Sequence, residues 1–135
     1  MKNIFIILFL LINTCAMAQT GDILSDNIRW HSSQSIIMTS GMPLNHTCEV
    51  KTRPLENKII LDQNGRIGEF TILRYLSTWN DISQVGSITF EVTFGDTSGT
   101  VSFERDADGM EIVIDMTSNP SGVKRKIIVD QIITE

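Results

Sequence analysis

The chain has 135 residues, with 11 Lys and Arg against 16 Asp and Glu, for a net charge of −5. Nucleic acid and anionic lipid surfaces select a basic footprint, which this composition lacks, so neither is an expected partner. The length suits one domain and is too short for two.

Lys2 followed by the unbroken apolar run Ile4–Ile12 and then Ala16-Met17-Ala18 has the order of a signal peptide. Residues 1–18 are therefore expected to be removed before Gln19, and 19–135 to form a single secreted β domain, periplasmic or extracellular. Nine apolar residues are too few for a helix to span a bilayer, which takes roughly 20, so no transmembrane segment is expected. A minor alternative is a lipoprotein anchored at Cys15, although Asn13 and Thr14 fit a lipobox poorly. Without the leader the charge becomes 10 basic against 16 acidic, or −6. Of those 117 residues, 35 are Ile, Val or Thr and one is alanine, Ala107. Branched side chains suit a pleated, half-buried surface better than a helix. The expected fold class is all-β and mainly antiparallel.

In chain order, Asn27–Trp30 and Gln34–Thr39 read as two strands, Gly41-Met42-Pro43 as a turn and Thr47–Thr52 as a further strand. Lys58–Asp62 and Arg66–Thr71 flank Asn64-Gly65, a strong hairpin signal because both residue types tolerate positive φ. Residues 70–85 are ambiguous. Apolar side chains recur at nearly helical spacing, yet Thr71 and Ile72 are β-branched. A strand running to about Leu76 is preferred, with one short helix around residues 70–85 as the alternative. Ser87–Phe94, Thr100–Arg105 and Met110–Met116 alternate cleanly and form an antiparallel meander, with Phe90, Val92, Phe103, Ile112 and Ile114 on one face as the expected core. Gly95–Gly99 and Asp106–Gly109 supply the connecting turns. Val123–Ile133 reads as the last strand, with apolar residues on both faces, as in a strand that closes a barrel. About seven to eight strands at this spacing form a small sandwich or an up-and-down barrel.

Candidate chemistry is sparse. His46 and Cys48 stand two apart and would share a strand face, making them weak catalytic candidates as a Cys/His pair. One cysteine beyond the leader excludes an internal disulfide. His31, His46 and Cys48 fall one short of a structural zinc set, so no metal and no cofactor are expected. Asp106-Ala107-Asp108-Gly109 has its glycine at the wrong place for an EF-hand and is a turn. Glu91, Glu104, Glu111 and Asp115 belong to the outward face of the meander, where paired glycosidase carboxylates would not be expected. Lys124-Arg125-Lys126 is the one basic cluster, expected to pair with Glu111 or Asp115 across strands, or else to capture an anion. Asn45-His46-Thr47 is a glycosylation sequon, relevant only in a eukaryotic secretory route. Trp30, Tyr75 and Trp79 are weak ligand-binding candidates, with core packing as the plainer role.

An early tryptophan, Trp30, ahead of a run of antiparallel strands resembles lipocalin-like proteins, although Ile28 stands where their motif carries glycine. That resemblance implies a barrel around an apolar ligand. The reading is of a small exported non-enzymatic β domain binding a protein partner or a small apolar ligand. Its alternative is a small envelope hydrolase using Asp/Glu or the Cys/His pair.

Overall fold

The computed structural model describes residues 21–135; the expected leader, Cys15 and the expected cleavage site before Gln19 lie outside the described residues. The strands are β1 (Ile28–Ser32), β2 (Gln34–Ile37), β3 (Met42–Leu44), β4 (Cys48–Arg53), β5 (Lys58–Gln63), β6 (Arg66–Tyr75), β7 (Gly86–Phe94), β8 (Thr97–Arg105), β9 (Met110–Asp115), β10 (Lys124–Val129) and β11 (Gln131–Thr134). All eleven belong to one antiparallel sheet in the order β11-β1-β4-β5-β6-β7-β8-β9-β10-β2-β3.

The sheet curls until its ends interlock. β1 and β2 form one bent chain broken at Ser33, and β10 and β11 another broken at Asp130. The two pair without a change of register: Ile28 faces Thr134, Trp30 faces Ile132, Ser35 faces Ile127 and Ile37 faces Arg125. On their other edges, β1 pairs with β4 and β10 with β9. The result is a barrel-like sheet with few free edges, an arrangement that suppresses edge-to-edge aggregation. The choice left open between sandwich and barrel thus falls to a single curled sheet.

Eleven strands exceed the seven to eight expected. Two features contribute to the excess. Met42–Leu44 pairs with β2, where a turn was expected, and the last expected strand is divided at Asp130. Residues 70–85 contain no helix. β6 runs to Tyr75 because each half has a partner, residues 66–71 on β5 and residues 71–75 on β7. The apolar residues that mimicked a helical stripe, Trp79 and Ile82, instead lie in the loop that follows and turn into the core. Among the described residues, the sole helical segment is a 3-10 turn at Pro54–Glu56.

The hairpin and core readings hold, with one turn shorter than expected. Asn64 and Gly65 both have positive φ, 52° and 86°, and close a two-residue loop between Gln63 and Arg66. The β7–β8 turn is tighter than expected: Phe94 already faces Thr97 across Gly95, whose φ is 58°. Asp106 Oδ1 accepts from the amides of Asp108 and Gly109 at 2.8 and 3.0 Å, so this acidic segment organises its own hairpin turn. Phe90, Val92, Phe103, Ile112 and Ile114 are buried together inside the curl, as the alternation predicts.

Candidate functional site

Antiparallel alternation sends every second side chain inward, and the two ends of the barrel fill differently. At one end lie the start of β1, the end of β6 and the start of β7. Here Ile23, Trp30, Trp79 and Ile82 fill the interior almost without solvent contact. Trp30 packs on Phe103 with ring centroids 4.9 Å apart, and its indole N–H donates to Thr52 Oγ1 at 3.1 Å. Trp79 lies over Gly86, where any Cβ would run into the indole ring. Its N–H donates to the Gln84 carbonyl at 3.1 Å, and the Arg105 guanidinium ties the same loop down through the Ile82 carbonyl at 2.6 Å.

The opposite end is open. A cavity of about 410 Å³ lies there between β2, β3, β5, β6, β9 and β10. Its wall is mostly apolar, with Ile37, Leu44, Phe70, Phe94, Ile114 and Met116 among the lining residues. Phe70 and Phe94 pair at 5.2 Å between centroids and leave Phe94 about half exposed at the rim. Two polar side chains, Gln63 and Arg125, also line it. A concave, mainly apolar site with a few polar groups is the usual form of a small-ligand pocket, and roughly 300–1,000 Å³ is the usual size.

Arg125 is the residue that motif reading missed. The basic cluster Lys124-Arg125-Lys126 is divided by strand alternation. Lys124 faces outward to Asp115 at 3.6 Å and Lys126 to Glu111 at 3.5 Å, as cross-strand pairing predicts. Arg125 points inward, where its Nε and Nη2 both donate to Ser35 Oγ, at 3.1 and 2.8 Å. Ser35 is itself fully buried. Desolvation pulls the Arg125 pKa below its ordinary value. The signal was present in the sequence only in part: Arg125 has the parity of Ile127 and Val129, but this strand carries apolar residues on both faces.

The sequence-derived candidates are dispersed. Trp30 and Trp79 are core residues of the closed end, and Tyr75 is about half exposed at the end of β6; none of the three lines the open cavity. Cys48 is buried on β4, while His46 lies in the irregular stretch between β3 and β4. Burial pushes the Cys48 thiol up, against a partial lowering by Arg125 and a hydrogen bond with Ser32. Burial of this kind disfavours the thiolate, the nucleophilic form. His31, on β1, belongs to a different arrangement: its Nδ1 lies 2.6 Å from Asp130 Oδ1, and the other Asp130 oxygen accepts from the Ser33 amide and hydroxyl at 3.0 and 2.8 Å. This cluster fastens the two chain breaks, Ser33 and Asp130, to each other. His31, Cys48, Glu49 and Asp62 do border a polar recess of about 280 Å³ on the outer wall. Of the outward carboxylates, Glu91 is held by Arg74 through two bonds of 2.6 and 2.8 Å, while Glu104 faces Glu111 across β8 and β9. Among the described residues, no three His, Cys, Asp or Glu side chains converge to hold a metal ion, and no helix is long and apolar enough to cross a membrane.

No protein-family model matches the chain, and no curated protein or solved structure is significantly similar to it. The likeness to lipocalin-like proteins read from Trp30 and the strand number therefore finds no counterpart in these comparisons.

Proposed function

We propose that this protein is a non-enzymatic binder that holds a small, largely apolar ligand in the open end of its barrel. One observation carries the reading: the cavity of about 410 Å³ lined by Ile37, Leu44, Phe70, Phe94 and Ile114. Transfer of apolar ligand surface into such a site is favourable by about 25 cal/mol per Å² removed from water. Most of the wall strands, β2, β5, β9 and β10 among them, are paired on both edges, so little ordering is needed when a ligand enters, and that keeps the cost of binding low.

Titration with the neutral dye N-phenyl-1-naphthylamine tests the reading. Saturable fluorescence enhancement at one site per chain is expected. Ile114→Trp, which places an indole in the cavity, should abolish the enhancement while leaving the circular dichroism spectrum of the barrel intact. No enhancement with the wild type, or equal enhancement with the filled variant, would overturn it.

A further inference from the structure

We infer that the ligand of this cavity is an amphipathic anion, an apolar tail ending in a carboxylate, and that Arg125 receives the carboxylate. The inference rests on the ligand-binding reading above and goes beyond it by assigning the head group and its partner.

Most other cations of the barrel have a carboxylate within ion-pair distance: Arg29 and Arg53 reach Glu135, Lys51 reaches Glu49, Lys58 reaches Glu69, and Arg74 reaches Glu91. Lys124 and Lys126, the immediate neighbours of Arg125, are paired as described. Arg125 has no carboxylate within 4 Å among the described residues, although it is partly buried and lines an apolar cavity. Partial desolvation of a cation without a counter-charge carries a cost that an incoming anion would offset. Cys48 cannot supply that charge, since burial keeps its thiol protonated.

Geometry specifies the partner further. A guanidinium carries five N–H donors in a planar fork. Two of the Arg125 bonds go to a single neutral oxygen, Ser35 Oγ, which fixes the plane of the group and leaves three N–H donors without a partner among the described residues. A planar fork with free parallel donors is matched by a carboxylate accepting two hydrogen bonds. One guanidinium balances one negative charge; a phosphate monoester would bring between one and two into the same apolar space. The apolar tail then has Phe70, Phe94, Ile37 and Leu44 to lie against, with the rim at Phe94 open to solvent.

Competition of the bound dye by dodecanoate and by 1-dodecanol, each below its aggregation concentration, tests the inference on the wild-type protein. The two share a tail and differ in the head. Dodecanoate is expected to bind roughly ten- to a hundredfold more tightly, the range that hydrogen bonds to charged groups support. Arg125→Gln should remove that preference and leave dodecanol within about threefold of wild type. Arg125→Lys, which keeps the charge and loses the fork, should fall between them, and it serves as the variant if Arg125→Gln fails to fold. If acid and alcohol compete equally with the wild type, the anionic head group is wrong while the apolar pocket stands. Should neither the dye nor either competitor bind, the ligand-binding reading itself falls, and this inference with it.

Discussion

The two ends of the barrel are built from the same strands, yet one is filled and the other is open. At the filled end, Ile23 precedes β1 and the loop after β6 brings Trp79 and Ile82 inward, so that aromatic rings and branched side chains occupy the interior. The connections at the opposite end leave room. Asn64-Gly65 and Gly95-Asp96 are two-residue turns, too short to carry a side chain back over the opening, and the longer β9–β10 connection contributes Met116 and Val123 to the cavity wall. A hydrophobic interior normally packs to the density of an organic crystal, and at the closed end Ile23, Trp30, Trp79 and Ile82 are all buried from solvent. The open end retains apolar walls without a plug and places a guanidinium in them. Loop length and what each loop carries, more than strand composition, separate scaffold from site.

The sharpest test of this difference compares two phenylalanines on one strand. Phe90, fully enclosed and edge-on to Phe103 at 5.9 Å between centroids, should cost about 3–5 kcal/mol when replaced by alanine. Phe94→Ala, at the open rim, should cost about 1 kcal/mol, little more than its contact with Phe70. Denaturant midpoints measure both, and equal losses would mean that the ends do not differ in packing.

A somewhat smaller effect is expected at Gly86. The Trp79 ring occupies the space that a Cβ would take, so Gly86→Ala must displace the ring or the strand, at about 1–3 kcal/mol. Tryptophan emission should shift to the red as Trp79 is pushed outward. An unchanged spectrum and unchanged stability would show that the plug is not seated on this glycine.

The smallest effect lies at the break between the two bent chains. His31 first, and then Ser33, hold the Asp130 carboxyl below the ordinary carboxylate range. A depressed native pKa gives stability that is present above the unfolded value and lost as pH falls through the native one. The carboxylate is substantially exposed, so the contribution is modest. Wild type should exceed Asp130→Asn in thermal midpoint at pH 6, and the gap should close progressively below about pH 4, the unfolded value being ~3.9. A gap that is constant with pH would mean that the variant acts through something other than this ionisation.

Much of the scaffold is legible in the order of its residues. Period-two alternation from Ser87 to Met116 assigns the faces of three strands, because a strand with one side in water must separate apolar from polar residues at every step. Asn64-Gly65 announces its hairpin, since few other dipeptides accept positive φ twice. The stretch from Phe70 to Val85 misleads in part. A spacing of three between apolar residues is common to an amphipathic helix and to a strand followed by a loop that tucks two side chains under a barrel.

The site is less legible, and Arg125 shows why. Read as part of Lys124-Arg125-Lys126 it belongs to a surface cluster; read by parity with Ile127 it belongs inside. Both patterns are in the sequence, and local chemistry does not rank them. The strand periodicity, the turns and the pairing of Lys124 and Lys126 with Asp115 and Glu111 follow from residue types on neighbouring strands, and the amino-acid sequence determined them by itself. Whether the sheet closes, which end is plugged and what the inward arginine meets depend on contacts such as Ile37 with Arg125 and Trp79 over Gly86. Those residues are distant along the chain or joined through an irregular loop, and short-range patterns do not encode such meetings, so only the tertiary structure decided them.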